Sequence, residues 1–292
     1  MEAPRTVGAV GVGNMGGAMA ARLLKHGWAV QVCDIDTVKV QALQALGARP
    51  CATPAEAATG ASALVICVVD AAQAREVLFG ANGAVHGLAA GAGVLLCPTI
   101  APQDVEAFAR ELAERGFAAI DTPMSGGPAR ARDGSMSLMV ACEDAVFEQH
   151  RALVEMLSGK VFRISQRPGD GARTKLVNNL LAAINLGGAA EVLAMAQRMG
   201  LDLPTTLAVI QQSSGQSWIG TDRMSRAIEG DYVPRAHVSL LQKDSRLAVE
   251  AARAAGFEGP LGPAARDLFQ RAGDAGLAQL DDAALFKLLS QS

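Results

Sequence analysis

Residues 8–34 read GAVGVGNMGGAMAARLLKHGWAVQVCD. A β-rich run over residues 6–12 leads into Gly11-Val12-Gly13-Asn14-Met15-Gly16. An amphipathic helix follows, then a second strand-like run over 29–33 that ends on Asp34. Gly11 permits the tight turn, Gly13 leaves room for a pyrophosphate beside the backbone, and Gly16 lets the helix pack closely on the strand. Asn14 and Met15 open a helix whose N-terminus presents N–H groups and partial positive charge to phosphates. Asp34 lies about twenty residues further on, where a carboxylate can hold the ribose hydroxyls of an adenosine. Glycines alone are a weak signal. Strand, glycines, helix, strand and acid in this order predict a dinucleotide-binding unit.

The rest of the first half continues the alternation. Strands are predicted at 64–69, 94–97, 118–121, 138–141 and 161–164, and helices at 15–26, 37–46, 71–78, 102–115 and 143–157. Such alternation implies a doubly wound, mostly parallel sheet covered on both faces, an α/β Rossmann fold. After Ser165 the pattern changes. Residues 171–200 read as one long helix rich in Ala and Leu. Helical stretches follow at 204–213, 218–229, 238–255, 260–273 and 281–290, with no convincing strand. The expected organisation is a dinucleotide-binding domain over 1–165 and an all-helical substrate and dimerisation domain over 166–292. Gly187-Gly188 inside the long helix suggests close packing on another helix.

Composition narrows the function classes. The 292 residues are half hydrophobic, with net charge −3 and 4% aromatics. No basic block and few aromatic platforms argue against a nucleic-acid partner. No apolar run reaches membrane-spanning length without polar interruption, so no membrane association is expected. The sequence enters a strand-like run almost at once, so no signal peptide is expected. The five cysteines include no CxxC; they read as buried small hydrophobes in a reducing cytoplasm. The four histidines are scattered, and no metal site is expected.

Ligands of doubly wound sheets bind beyond the carboxyl ends of the strands. Pro98-Thr99-Ile100-Ala101-Pro102 and Asp121-Thr122-Pro123-Met124-Ser125-Gly126-Gly127-Pro128 occupy such positions. Ser125, Gly126 and Gly127 offer a hydroxyl and open backbone N–H groups, either a carboxylate-binding nest or a flexible turn. Thr99 either bonds a cofactor or caps the helix near Pro102. Further on, Lys175 and Asn179 are four apart and share a helix face. Lys175 is either a surface lysine or a proton donor for a carbonyl under reduction, and the base for the reverse oxidation. Two adjacent asparagines weaken a helix unless they find partners, which favours a polar site. Lys243-Asp244, on an apolar helix, reads by itself as an exposed charged pair.

Taken together, these segments resemble the β-hydroxyacid dehydrogenase family, which includes 3-hydroxyisobutyrate dehydrogenases and tartronate semialdehyde reductases. GVGNMGGAMAARLL (11–24) resembles its cofactor signature, DTPMSGGPARARDGSMSLM (121–139) its substrate signature, GDGARTKLVNNLL (169–181) its catalytic signature, and QKDSRLA (242–248) its late cofactor segment. The resemblance implies Lys175 as acid/base, Asn179 as substrate-orienting, Ser125, Gly126 and Gly127 as carboxylate-binding, and Val69, Thr99 and Lys243 as cofactor contacts. It also implies homodimers or homotetramers. Within the family, the L-threonate dehydrogenase-like branch resembles this chain in VVDAAQAREVLFG (68–80), GKVFRI (159–164), GQSWIGTDRM (215–224), EGDYVP (229–234) and DDAALFKLL (281–289). Trp218 in the third of these is an expected substrate-pocket residue.

That branch implies oxidation of a four-carbon sugar acid at C2. The alternatives are a 3-hydroxyisobutyrate dehydrogenase, a tartronate semialdehyde reductase or a non-enzymatic NAD-binding scaffold. Imine reductases on the same fold generally lack the lysine found here at 175. Asp34, followed by Asp36 and no adjacent Arg, would repel a 2′-phosphate, so NAD is expected over NADP. The chain departs from the family pattern at Pro98, at Met124, which would narrow the pocket, and at Ser245.

Overall fold

The computed structural model describes residues 6–291. Contacts group the chain into two compact units that divide between Lys175 and Leu176.

The first unit is a nine-stranded sheet. Its first six strands are β1 (Thr6–Val10), β2 (Ala29–Cys33), β3 (Arg49–Pro50), β4 (Ala63–Ile66), β5 (Gly93–Leu96) and β6 (Ala118–Asp121). They run parallel in the order β3-β2-β1-β4-β5-β6. This is the dinucleotide-binding order, with its reversal at β1. Beyond β6 lie β8 (Ser137–Ala141), antiparallel to β6 and to the short β7 (Met124–Ser125), and β9 (Lys160–Ser165), parallel to β8.

Alternation explains why these strands read as continuous apolar runs. Val7, Ala9, Val65 and Leu95 enter the core on one face of the sheet. Val10, Leu64, Ile66, Val94 and Leu96 enter the other, against Phe108 and Leu112. A strand buried on both faces has no position to spare for a polar side chain.

The helices of this unit are α1 (Asn14–Lys25), α2 (Thr37–Gln44), α3 (Pro54–Ala58), α4 (Ala71–Phe79), α5 (Pro102–Glu114), α6 (Gly127–Asp133) and α7 (Asp144–Leu157). The apolar face of α1 is Gly16, Met19, Ala20 and Leu23, one stripe at helical spacing. β3, α3, β7 and α6 were not expected from periodicity, being too short to show one. Their end signals are in the sequence all the same. Thr53 Oγ1 accepts from the Glu56 N–H, and Glu56 Oε2 accepts from the Ala52 N–H, a reciprocal box that starts α3. Pro128 in the first turn and left-handed Gly134 after the last bracket α6, the usual proline-in, glycine-out asymmetry.

The 29-residue α8 (Asp170–Arg198) carries the chain from the first unit into the second. The second unit also contains α9 (Leu203–Gln211), α10 (Trp218–Glu229), α11 (Val238–Ala254), α12 (Leu261–Ala272) and α13 (Leu285–Ser290). One side of α8 supplies Ala183, Leu186, Ala190 and Leu193 to a core shared with Met224, Phe269 and Leu285. The expected close packing at the paired glycines holds for one of them. A Cβ on Gly187 would stand 3.2 Å from a Leu268 methyl, whereas at Gly188 nothing lies within 4 Å. By length and composition alone α8 could cross a bilayer; the buried stripe just described shows instead that it packs as a core helix.

Candidate active site

The glycine loop is built by local constraint. Gly11 has φ +83°, and a Cβ there would meet the Cys67 carbonyl oxygen at 2.6 Å. A Cβ on Gly16 would fall 1.9 Å from the Gly11 carbonyl oxygen. Both clashes are with backbone, so neither position accepts a side chain without displacing β1 from α1 or β4. Gly13 is different: nothing lies within 4 Å of its Cβ position. It occupies the N-cap of α1, with no side-chain cap and no acid in the first turn. The first-turn N–H groups of a helix lack intrahelical acceptors, so Gly13, Asn14 and Met15 border open space with donors directed outward. Beside them, burial pushes the Cys67 thiol up to about 12, which keeps it a neutral neighbour.

Asp34 is held on two sides. Its Oδ2 accepts from the Val12 N–H at 2.7 Å, and its Oδ1 from the Asp36 N–H at 2.9 Å. These bonds tie the carboxylate at the end of β2 to the glycine turn. Open backbone at Gly13, an uncapped helix N-terminus and a fixed carboxylate suit a pyrophosphate and a ribose diol. Val69 follows β4, partly exposed, and its N–H donates to Gln73 Oε1 at 3.1 Å. Thr99 follows β5. It stands two residues before Ala101, the N-cap of α5.

The Ser-Gly-Gly segment joins a short strand to a helix. Ser125 ends β7 in register with Ser137 of β8. Gly126 (φ +132°) and Gly127 (φ +77°) then turn the backbone into α6. Successive residues of a strand face opposite sides, and Met124 accordingly packs into the sheet core opposite Leu138. The expectation that Met124 narrows a pocket is therefore corrected: it is core.

Asp121, which ends β6 four residues before Ser125, is 1% exposed. Its Oδ2 accepts from the backbone N–H of Gly169 at 2.8 Å and of Ala172 at 3.1 Å. It therefore caps α8 from another element. Burial lifts its carboxyl to about 6 against the opposing pull of those N–H groups. Sequence reading gave Asp121 no such role; an acid at a strand end has no local signature of what it will cap.

Lys175 and Asn179 are each 8% exposed. They continue, toward the start of α8, the side of the helix that carries Ala183 and Leu186 into the core. Asn179 Nδ2 donates to Asp244 Oδ2 at 2.6 Å, and Asn179 Oδ1 accepts from Asn178 Nδ2 at 3.0 Å. The two unfavourable asparagines thus have partners. Lys243 Nζ stands 2.8 Å from Asp244 Oδ1. The reading of Lys243-Asp244 as an exposed pair is corrected too: Asp244 is buried and Lys243 largely so. Asp244 is the residue that sequence reasoning missed here, and only its apolar neighbours on α11 could have hinted at burial. Trp218 opens α10 under a Ser217 cap, half exposed, with the Arg223 guanidinium 6.0 Å from its ring.

Comparison with known proteins identifies the family. Residues 6–165 match the model of the NAD binding domain of 6-phosphogluconate dehydrogenase. Residues 169–289 match that of the NAD-binding region of NADP-dependent 3-hydroxyisobutyrate dehydrogenase. An L-threonate dehydrogenase of Cupriavidus necator is 36% identical over 284 residues, covering 97% of this chain and 96% of its own. A 2-hydroxy-3-oxopropionate reductase of Escherichia coli is 32% identical over 283 residues, covering 97% and 96%. Among solved structures, a 3-hydroxyisobutyrate dehydrogenase from Salmonella typhimurium superposes with TM-score 0.92 at 35% identity, covering 97% of this chain and 99% of that one. The chain belongs to the 3-hydroxyisobutyrate dehydrogenase-like family of NAD-binding β-hydroxyacid dehydrogenases.

Proposed function

We propose that this dehydrogenase oxidises a four-carbon sugar acid, L-threonate or a close relative, to the 2-oxo acid, with Lys175 as the acid/base. The observation that carries this reading is the buried polar pair on α8. Lys175 and Asn179 sit on the side of that helix otherwise given to core residues, and burying polar groups is costly unless they have work and partners. Gly11, Gly13, Asn14, Met15, Gly16 and Asp34 would hold the dinucleotide, with Val69, Thr99 and Lys243 as further contacts. Bound NAD supplies the acceptor for the hydride that leaves the carbinol carbon. Lys175 takes the hydroxyl proton as that carbon becomes a carbonyl, and returns it when the reaction runs backward. Ser125 with the Gly126 and Gly127 backbone receives the carboxylate, and Asn179, held by Asp244, orients the hydroxyl. Trp218 is assigned to the substrate pocket.

Several observations support the finer assignments. Asp34 and Asp36 put two carboxylates at and just after the end of β2, a charge pattern that favours NAD over NADP even with Lys39 paired to Asp36. The five free thiols suit a cytoplasmic enzyme. Val177, Leu181, Val192, Met195 and Met199 are all exposed and recur on one side of α8, with bare Gly188 among them. Such a stripe fits a second copy of this chain, a homodimer or a homotetramer built from dimers. Met195→Glu should shift the oligomer toward monomer in sedimentation; an unchanged mass would remove the stripe from the interface.

The deciding experiment is the initial rate of NADH formation with L-threonate, D-threonate, D-erythronate, glycerate and 3-hydroxyisobutyrate, repeated with NADP. A four-carbon acid should give the highest kcat/KM. Preference for glycerate or 3-hydroxyisobutyrate would reject the sugar-acid substrate, and preference for NADP would reject the cofactor choice. Lys175→Ala should lower kcat by about 100-fold or more with NAD affinity nearly unchanged. Loss of NAD binding instead would make Lys175 structural.

A further inference from the structure

The start of α8 is tied to the sheet by one buried carboxylate. Asp121 lies at the end of β6, and the next four residues run through Thr122-Pro123-Met124 to Ser125. Its Oδ2 accepts two N–H groups from the opening of α8, those of Gly169 and Ala172. Ala172 is three residues before Lys175, so both belong to the first turns of the same helix. Gly171, between the two donors, leaves no slack. A Cβ there would meet Asp121 Oδ2 at 2.8 Å and the Met139 carbonyl oxygen, on β8, also at 2.8 Å. Asp121 Oδ1 is buried without a hydrogen-bond partner. Thr122, the next residue, is fully buried and its hydroxyl donates to the Ile120 carbonyl, so the strand end itself is fixed.

We infer that Asp121 is a positioning residue for the reaction: by clamping the first turn of α8 to the end of β6, it sets Lys175 in register with the Ser125-Gly126-Gly127 segment that begins four residues further along the chain, at the end of β7. The inference rests on the reading of Lys175 as acid/base. The physical basis is that proton and hydride transfer tolerate little misplacement. An error of about 1 Å at a reacting group costs on the order of 100-fold in rate, while binding sites formed elsewhere are untouched. A helix that can slide or rotate by a fraction of a turn would lose turnover before it lost affinity.

The test compares Asp121→Ala and Asp121→Asn with the parent enzyme, measuring kcat, substrate KM, NAD dissociation constant and folding by circular dichroism. The alanine removes both acceptor oxygens; the asparagine keeps one in the same place. Asp121→Ala should lower kcat by about 30-fold or more, and Asp121→Asn by about 3- to 10-fold. KM and NAD affinity should stay within about 3-fold in both. Should the alanine variant not fold, the isosteric asparagine variant carries the test alone. A folded Asp121→Ala enzyme with parental kcat would overturn the inference and leave Asp121 a structural cap. So would a kcat loss matched by equal loss of NAD affinity. Lys175→Ala run in parallel separates the two readings. If it retains turnover, the acid/base assignment fails. If it is inactive while Asp121→Asn is unimpaired, only the positioning role fails.

Discussion

The open glycine loop and the buried Asn179–Asp244 pair are both polar arrangements, but they are assembled differently. The loop draws nearly everything from 27 consecutive residues, closed by the Val12-to-Asp34 bond across 22 positions, with the Cys67 carbonyl as a wall contributed from further along the chain. The pair joins α8 to α11 across 65 positions. In the loop the tightest constraints are steric and act between backbone atoms, so residue type at Gly11 and Gly16 is nearly forced. In the pair they are electrostatic and act between side chains that only the helical core brings together. The first kind of site can be read along the chain; the second must be folded before it exists.

The sharpest way to break the contrast is to attack the loop where it is most forced. Gly11→Ala puts a methyl against the Cys67 carbonyl and requires φ +83° of a residue with a Cβ. NAD affinity should fall by about 100-fold or more, with a lower melting temperature, because strained left-handed geometry alone costs about 1–2 kcal/mol. Titration of NAD by fluorescence checks it. Near-parental affinity would mean that the loop shifts without cost and that its geometry is less binding than its sequence suggests.

Asp244→Ala is the corresponding change in the assembled site. It takes the acceptor from Asn179 Nδ2 and the counter-charge from Lys243. A buried donor left unpaired costs about 1–3 kcal/mol, so kcat should fall by roughly 10- to 100-fold. Only a minor change in NAD affinity is expected, since the glycine loop is untouched. Steady-state kinetics with both substrates varied separates these effects. Asn179→Ala combined with Asp244→Ala should be little worse than either alone if the two act as a unit; additive losses would dissolve the pair.

The smallest expected effect sharpens the comparison through Asp121, which lies between the two kinds. Burial raises its carboxyl from 3.8 to about 6. A raised carboxyl binds its proton more tightly in the folded state. Its contribution to stability is therefore full below about pH 4 and is lost as the pH rises through about 6. The melting temperature of the parent relative to Asp121→Asn should be most favourable near pH 4 and decline by pH 7, a swing of about 2–3 kcal/mol. Thermal scans across that range report it. A difference that stays flat with pH would show the group titrating as it does in water.

Legibility followed the same division. Strands at 29–33 and 118–121 and the helix at 218–229 were predicted to the residue, because alternation or caps mark their ends. The α3 and α6 helices were not, since five and seven residues carry no period; only their caps announced them. Met124 was misread as pocket-lining because its orientation depends on a two-residue strand pairing with β8, a partner that begins twelve residues later. Lys243-Asp244 reads as exposed because two charges in sequence usually are; α11 turns Asp244 inward to Asn179, and Lys243 pairs with Asp244.

By itself the sequence determined the doubly wound sheet, the turn at Gly11–Gly16 and the helical second half, because backbone sterics and the period of apolar residues act over a few positions at a time. Only the tertiary structure decided that Asp121 caps α8, that Asp244 holds Asn179 and that Met124 is core. A buried carboxylate takes whatever donors the packing delivers, and packing joins residues that share no local rule.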